Sequence, residues 1–236
     1  MSDRERALHD ALATFVRRMT QDYDVGDVLD LLAGQVPAVM GVEAGGVTLV
    51  DPKGTTAYAA ASDPRAQRTE QLETTLDQGP CIACIADREI KVVPDLLRET
   101  RWPAYGEAAR QFGWRTVLGV PLMAGDRCIG GLDIYGEQPR DWTREELEHA
   151  RLLADMATSY IVHARALEES RTLAAQLQNA LHSRVVIEQA KGMLAATLDL
   201  DVDQAFELLR TRARSTNVTL RSVAQRVVEG RGAPQH

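Results

Sequence analysis

Residues 183–230 determine the fold of the C-terminal part of the chain, and their sequence is SRVVIEQAKGMLAATLDLDVDQAFELLRTRARSTNVTLRSVAQRVVEG. Its apolar residues recur at steps of three and four in three successive blocks, which predicts three short amphipathic helices. Asp201, followed three residues later by Gln204, is a capping pattern for the second block. Thr219 can cap the third block and Gly230 can end it. Helices this short are not stable alone, so we expect the three to pack against one another.

The same stretch resembles an ANTAR domain along essentially its whole length. Several motifs of that family occur here in the family's order, namely Arg184, Ile187-Glu188-Gln189-Ala190-Lys191-Gly192, Asp203 with Ala205-Phe206, Leu209-Arg210, Ala213, and Leu220-Arg221 with Val223-Ala224. ANTAR domains are bacterial transcription antiterminators that bind paired short stem-loops in nascent RNA, so that a competing terminator hairpin cannot form. The resemblance implies an RNA-binding antiterminator whose all-α three-helix module occupies residues 182–230.

We predict that the RNA contacts come from cations, small residues and polar side chains of this module. Cations would meet phosphates, and small or polar side chains would let splayed bases approach. Arg210 and Arg214 stand four apart and so project from one helix face. The start of the third helix presents free N–H groups that favour an anion. The candidate RNA-binding residues are Arg184, Ala190, Lys191, Gly192, Arg210, Arg214, Asn217, Thr219, Arg221, Ser222 and Ala224, of which the two alanines could instead be core.

The net charge of the whole chain is −7, which by itself argues mildly against a nucleic-acid partner. The charge is unevenly distributed, because residues 182–236 carry eight basic and six acidic side chains whereas residues 1–181 carry 19 and 28. The C-terminal part is therefore the part that can tolerate a polyanion over much of its surface. An evenly solvated helical tail would give the same count.

Residues 25–140 have the pattern of an α+β domain with a mainly antiparallel sheet. Short β-type runs bounded by turn residues occur together with segments of helical spacing. The predicted strands are 47–50, 55–61, 90–93, 116–123 and 128–135, and predicted helices lie at 4–20, 25–39, 64–76 and 103–112.

This domain looks like a GAF domain, which is a sensory module. The resemblance rests on Gln78-Gly79-Pro80-Cys81, on VVPDL at 92–96, on Gly119-Val120-Pro121-Leu122 and on Gly130-Gly131-Leu132. It implies a pocket for a small-molecule ligand, whose identity and cofactor class the sequence leaves unknown. The aromatic residues that could line the pocket, or equally form plain core, are Tyr58, Trp102, Tyr105 and Trp114.

A long helix should join the two domains, because no Gly or Pro occurs between Pro139 and Gly192. Thr143 followed by Glu146 fits a capping box at its start. A heptad seam then runs through Ala150, Leu153, Ala157, Tyr160, Ala164 and Leu167. The seam could belong to a helix packed on its own domain's sheet or to a coiled coil in a parallel homodimer. We favour the homodimer, because the stretch outruns what one small sheet can cover.

The resulting domain plan has five parts. They are an N-terminal helix at 1–24, a GAF-like sensory domain at 25–140, a long dimerising helix at 141–181, the ANTAR domain at 182–230 and a disordered tail at 231–236. The order of sensory domain, helix and ANTAR module is a known architecture, so the two resemblances support each other.

Cys81 and Cys84 form a C-x-x-C pattern at the start of a predicted helix, and we treat them as a candidate redox pair. A helix N-terminus lowers the pKa of a thiol, although two small, partly buried residues would give the same spacing. No metal is predicted, because a second cysteine pair is missing and Cys128 alone does not complete a four-ligand site.

The sequence favours an intracellular regulator over an enzyme. It contains no Gly-rich phosphate loop, no G-x-S-x-G and no H-E-x-x-H, and no catalytic residue is predicted. Three cysteines cannot form a secreted disulfide framework, and the N-terminus lacks an apolar signal region. No window approaches the roughly 20 apolar residues of a membrane span. We therefore expect a cytoplasmic protein without a membrane partner.

The main alternative function is that of a DNA-binding transcription regulator with a ligand- or redox-sensing GAF domain. Three short helices can also place one helix in a major groove, and the connector at 215–218 is short enough for a helix-turn-helix. Readers of that class usually carry a more basic reading helix.

Overall fold

The computed structural model describes residues 3–18, 23–51, 53 and 55–230, apart from a few side chains within these ranges. The side chain of Tyr58, a predicted pocket residue, and the predicted tail at 231–236 lie outside what is described. The chain divides into two compact units, Met1–Ala166 and Leu167–His236.

The first unit is built on a five-stranded sheet with the order β2-β1-β5-β4-β3. The strands are β1 (Ala44–Val50), β2 (Thr56–Ala61), β3 (Lys91–Val93), β4 (Thr116–Ala124) and β5 (Arg127–Gly136). Each strand pairs antiparallel with its neighbours. The predicted α+β class with an antiparallel sheet is therefore confirmed, with strand bounds within a few residues of those expected.

Six helices of the described chain accompany this sheet. They are α1 (Asp3–Arg18), α2 (Val25–Met40), α3 (Pro64–Leu76), α4 (Pro80–Asp87), α5 (Pro103–Gln111) and α6 (Arg144–Leu198). Successive residues of a strand point to opposite faces, and β5 shows this directly. Leu132 and Ile134 belong to the apolar core with α1, α2 and α6, whereas Tyr135 belongs to the core with α3 and α5.

Three glycines allow α3 and α4 to pack closely on the face of the sheet that carries Tyr135. A Cβ added to Gly46 would lie 2.0 Å from Glu70 Oε1, one at Gly119 would lie 2.8 Å from the carbonyl oxygen of Pro80, and one at Gly131 would lie 2.6 Å from Cys81 Sγ. Real side chains do not approach this closely, so any larger residue would push the helices away. The two helices consequently bring their polar side chains onto the centre of the sheet.

The predicted coiled-coil seam lies mostly inside the first unit, which corrects the expectation for these positions. Ala150, Leu153 and Ala157 are fully buried, and Tyr160 and Ala164 nearly so. The physical reason is that this part of α6 packs on α1, α2 and the sheet of its own unit. Of the predicted dimer residues, Leu167 is the one that keeps an exposed side chain.

The start of α6 is fixed by the predicted capping box. The backbone N–H of Thr143 donates to Glu146 Oε2 at 2.9 Å, and the backbone N–H of Glu146 donates to Thr143 Oγ1 at 3.2 Å. Glu146 also pairs with Arg4 at 2.7 Å and with Arg140. The helix then continues without a break to Leu198, through the expected boundary at 181/182.

The second unit contains the C-terminal part of α6 together with α7 (Val202–Ser215) and α8 (Leu220–Val228). Asp201 and Gln204 cap α7 reciprocally, and Thr219 caps α8, as predicted. A small core holds the three helices together, formed by Val186, Ala190, Leu194, Ala205, Leu209, Ala213, Val223, Ala224 and Val227. The expected all-α three-helix module is therefore confirmed.

Among the helices of the described residues, none is long and apolar enough to cross a membrane.

The glycine face of the sheet leads to a first prediction. Gly119→Ala should lower the free energy of unfolding of the first unit by about 1–3 kcal/mol, because the new methyl group meets the backbone of Pro80. Gly34→Ala is the matched control, since nothing lies within 4 Å of the added Cβ in α2. Thermal unfolding should show a loss for the first variant and no loss for the second. Equal stabilities would show that α4 does not need this glycine.

Candidate functional site

The first candidate site is a cluster of buried polar side chains between the sheet and the helices α3 and α4. Its members are Glu70 and Glu73 from α3, Cys81 and Cys84 from α4, and Asp133 from β5. All five are at most 2% exposed. The cluster is named the acid–thiol cluster below.

Hydrogen bonds hold two of the carboxylates in place. Thr48 Oγ1 donates to Glu70 Oε2 at 2.7 Å, and the Tyr135 hydroxyl donates to Glu70 Oε1 at 2.8 Å. The backbone N–H groups of Cys81 and Ile82 donate to Glu73 Oε1 at 2.6 and 3.3 Å. Glu73 therefore caps the N-terminus of α4 from a neighbouring helix, using donors that a helix start leaves free.

Three carboxylate oxygens of the cluster and one neighbouring hydroxyl group accept or donate no hydrogen bond with a backbone N–H or a hydroxyl group of the described residues. Both oxygens of Asp133, the Oε2 of Glu73 and the hydroxyl of Tyr105 are buried and unpaired within the described residues. Buried polar groups are normally satisfied, because an unpaired one costs free energy. These atoms therefore make the interior of the first unit a candidate site for binding a proton or another cation, in addition to its role as an apolar core.

Burial raises the pKa values of the three carboxyl groups, and neighbouring negative charges raise those of Asp133 and Glu73 further. Burial raises the pKa of Asp133 well above its usual range, and the charges of Glu70 and Glu73 raise it further. Burial and the charge of Glu70 raise the pKa of Glu73 in the same way. Burial also raises the pKa of Glu70, against the hydrogen bonds from Thr48 and Tyr135. A set of acids so placed binds protons, or another cation, more readily than acids in water.

The predicted redox role of the cysteines loses its physical basis here. The hydrogen bond from Cys84 and burial raise the pKa of Cys81 well above its usual range, and the charge of Asp133 adds to this. The helix N–H groups that could have stabilised a thiolate are occupied by Glu73. Both cysteines are free and buried, so the reactive thiolate that a redox pair requires is disfavoured.

The acid–thiol cluster also contains a set of atoms that could hold a metal ion. One ligand atom each from Glu70, Cys81 and Asp133 lies within 4.8 Å of the other two. The set is not evident from the spacing of the cysteines, because the further ligands are carboxylates from α3 and β5 rather than a second cysteine pair. The signal that could have found them is an acidic residue in a strand otherwise made of apolar residues and glycine, CIGGLDIY at 128–135.

Three of the four aromatic residues named for the predicted pocket have described side chains, and none of the three lines the two cavities given below. Tyr105 and Trp114 are fully buried in the core under α3 and α5, and Trp102 is half-buried beneath the guanidinium of Arg101, 4.4 Å from its ring. Two open cavities of the first unit contain arginines instead, beside the acids Glu89 and Asp155 in the larger cavity and Asp51 in the smaller one. One of about 530 Å³ includes Arg88 and Arg151, and one of about 250 Å³ includes Arg88, Arg127 and Arg165.

The second candidate site is the polar surface of the three-helix unit. Most of the predicted RNA-binding residues are exposed there, namely Arg184, Gly192, Arg210, Arg214, Asn217, Thr219 and Ser222. Ala190 and Ala224 are fully buried in the core of the unit, so the prediction that they contact RNA is wrong. Their small side chains let the helices approach one another, which is the second of the two roles that the sequence allowed.

Lys191 and Arg221 are half-buried rather than free on the surface. The ammonium of Lys191 lies 2.9 Å from Glu188 Oε2 and 5.4 Å from the centre of the Phe206 ring. Gly192 follows it in the chain, and nothing lies within 4 Å of a Cβ added there. The surface beside the fixed ammonium group of Lys191 is therefore open to a ligand. Phe206 is half-buried under this lysine.

The start of α8 carries the polar candidates of the connector. Asn217 adopts a left-handed conformation with φ of 51°, and Thr219 Oγ1 accepts the backbone N–H of Ser222 at 3.2 Å. Thr219 is thus occupied as the helix cap. Arg210 lies on the preceding helix and pairs with Glu207 at 3.2 Å, an exposed ion pair that contributes little to stability.

The raised carboxyl pKa values predict an unusual dependence of stability on pH. The folded first unit keeps protons on Asp133 and Glu73 that the unfolded chain releases above about pH 4. In protein treated with a chelator, the melting temperature of this unit should therefore fall as the pH rises from 5 to 8. Asp133→Asn should flatten this dependence and raise the melting temperature at pH 8 by about 3 °C or more. A melting temperature that rises over this range would contradict the assignment of protonated acids.

Comparisons with known proteins agree with both units. The sequence model of the GAF domain matches residues 24–161, and that of the ANTAR domain matches residues 175–228. The first of these covers more than half of the chain. No curated protein sequence matches it significantly.

Solved structures share the fold of the first unit at low identity. The GAF domain of an Acinetobacter phosphoenolpyruvate-protein phosphotransferase has 21% identity and a TM-score of 0.53, and covers 72% of this chain and 99% of its own. The GAF domain of the Coxiella burnetii phosphoenolpyruvate-protein phosphotransferase has 17% identity and a TM-score of 0.57, over 71% and 99%. A free methionine-R-sulfoxide reductase from Neisseria meningitidis has 19% identity and a TM-score of 0.55, over 71% and 95%.

These likenesses establish the fold and no more, since each identity is below a quarter. A GAF domain implies sensing, and an ANTAR domain implies RNA-binding regulation of antitermination. The chain belongs to the GAF domain family and carries a C-terminal ANTAR domain.

Proposed function

We propose that this protein is an RNA-binding transcription antiterminator controlled by its GAF domain. Its ANTAR domain binds paired stem-loops in nascent mRNA and prevents the terminator from forming. The observation that carries the proposal is the exposed set of arginines and polar side chains on the three-helix unit. A small apolar core between the helices holds this surface in place. The protein acts as a regulator rather than an enzyme, in the cytoplasm where transcripts are made.

The surface of the three-helix unit has the chemistry that an RNA hairpin requires. Arg210 and Arg214 project from α7, Arg184 projects from α6, and each side chain is exposed. Guanidinium groups bind phosphate oxygens in the stem, and exposed Asn217 and Ser222 offer polar contacts to unpaired bases. The half-buried Phe206 lies under Lys191, so recognition rests on shape and polar contacts more than on stacking.

Charge reversal on α7 tests this surface. The double variant Arg210→Glu and Arg214→Glu should weaken binding to an RNA with two stem-loops by at least about tenfold, and should reduce the salt dependence of binding, because phosphate contacts are lost. Arg144→Glu is the matched control, since this side chain is 93% exposed at the start of α6 in the first unit. Unchanged affinity in the double variant, with circular dichroism intact, would remove α7 from the RNA-binding surface.

The homodimer is proposed to form through exposed leucines of α6. Leu173, Leu177 and Leu181 are 56%, 61% and 66% exposed and recur at steps of four along the helix. Such a stripe on an otherwise polar helix is typical of a helix-helix contact with a second copy. A dimer supplies two ANTAR domains, and two linked modules bind two stem-loops far more tightly than one module binds one.

Disrupting the stripe tests the dimer. Leu177→Glu with Leu181→Glu should produce a monomer in light scattering, and should weaken binding to a two-hairpin RNA far more than binding to a single hairpin. Leu97→Glu is the control, because this leucine is 62% exposed in the first unit. Leu153 is unsuitable as a test because its side chain is core. Equal losses on the two RNAs would count against pairing of the modules.

The sensory input is proposed to enter through the GAF domain. The smaller cavity, where Arg88, Arg127 and Arg165 outnumber Asp51, would accept a small molecule with an anionic group, since guanidinium groups are strong donors to carboxylate and phosphate. The alternative function is that of a DNA-binding regulator, in which Arg184, Arg210 and Arg214 of the three-helix unit would bind the phosphates of a DNA duplex. A preference of the wild-type protein for a DNA duplex over RNA would select that alternative.

A further inference from the structure

The acid–thiol cluster brings together three side chains from three separate elements. Glu70 is carried by α3, Cys81 by α4 and Asp133 by β5, and one ligand atom of each lies within 4.8 Å of the others. Asp133 sits at the centre of the sheet, paired with Gly46 on one side and Gly119 on the other. We propose that this site binds a divalent transition-metal ion of the zinc or ferrous class.

The oxygens of Asp133 supply the independent reason for an ion. Both are fully buried, and no backbone N–H or hydroxyl group of the described residues donates to either of them; the groups that act on this carboxyl are the acids Glu70 and Glu73 and the thiols of α4. The Oε2 of Glu73 is buried and unpaired nearby. A carboxylate left in this state destabilises the fold unless it is neutralised, and a bound cation neutralises it while giving its oxygens a partner.

The spacing of the ligand atoms suits a small ion. Bonds of about 2.0–2.3 Å in a tetrahedral site place ligand atoms about 3.3–3.8 Å apart, so side-chain adjustments of about an ångström close the site. Cys84 lies outside this three-residue set, although its thiol stands close to that of Cys81. A Cβ added at Gly131 would lie 2.6 Å from Cys81 Sγ and 3.2 Å from Cys84 Sγ, so both thiols stand over the strand position two residues before Asp133.

Further contacts orient these ligands as metal sites require. Glu70 is held by the hydroxyl groups of Thr48 and Tyr135, and α4 is anchored by the bonds from its backbone to Glu73. Such supporting hydrogen bonds fix the direction of the ligands and are a usual feature of metal centres. The glycines of the sheet keep the space between α3, α4 and β5 free of other side chains.

The donor set selects the class of metal. Magnesium and calcium take oxygen ligands in shells of six or more, partly filled by water, which a buried site with thiols does not provide. Thiolate together with carboxylate suits zinc, cobalt and ferrous iron. Binding would displace protons from the thiols and the acids, so the affinity should increase with pH.

Cobalt provides the most direct test, because thiolate ligands give Co²⁺ an intense near-ultraviolet charge-transfer absorption. Full-length protein stripped with a chelator should bind one Co²⁺ per chain with this absorption, and Zn²⁺ should displace it. Cys81→Ser should abolish the absorption, and Asp133→Asn should weaken Co²⁺ binding by at least about tenfold. Cys128→Ser is the matched control, because this half-buried cysteine lies outside the cluster and bonds to the carbonyl of Gly130.

Other results would overturn the proposal. Folded wild-type protein that binds no Co²⁺ or Zn²⁺ would show that the carboxyl groups share protons instead of a metal. An absorption that survives in Cys81→Ser but disappears in Cys128→Ser would place the metal elsewhere. Circular dichroism of each variant separates loss of metal from loss of fold, and the wild-type titration decides the question even where a variant fails to fold. None of these results depends on RNA binding.

Discussion

The close approach of α3 and α4 to the glycine face of the sheet is the constraint on which the first unit depends. Gly46, Gly119 and Gly131 leave no side chain between the helices and the strands, so the helices place carboxyl and thiol groups where a core would normally be apolar. The same approach buries the oxygens of Asp133 where no backbone N–H or hydroxyl group of the described part of the chain donates to them. Burying an unpaired carboxyl group lowers the stability of the unit. A unit of this kind is suited to sensing, because an ion or ligand that pairs with the carboxyl group would raise its stability.

The second unit has the opposite distribution of chemistry. Its core is formed by small and medium apolar side chains, including Ala190 and Ala224, and its arginines remain on the surface. The helices α7 and α8 are short, so they depend on this shared core, and caps at their N-termini stabilise them further. Asp201 and Thr219 supply those caps. Rigid short helices present the cations at fixed spacing, which is what recognition of RNA by shape needs.

Much of this organisation could be predicted from the sequence, because it is encoded locally. The strands, the caps of α6, α7 and α8, and the order of the two domains follow from periodicity, turn residues and motifs within short windows. The burial of Ala150 through Ala164 could not be predicted, since a heptad seam does not say which surface it packs against. The acid–thiol cluster was missed for the same reason, as its residues come from distant segments that only the folded sheet brings together.

The most direct test of the account is a competition among three nucleic acids at fixed salt. Wild-type protein is titrated against a labelled RNA with two tandem stem-loops, using a single-hairpin RNA and a matched DNA duplex as competitors. The account predicts that the tandem RNA is bound tightly and that neither competitor displaces it at comparable concentration. Displacement by the DNA duplex, or equal affinity for one and two hairpins, would contradict it.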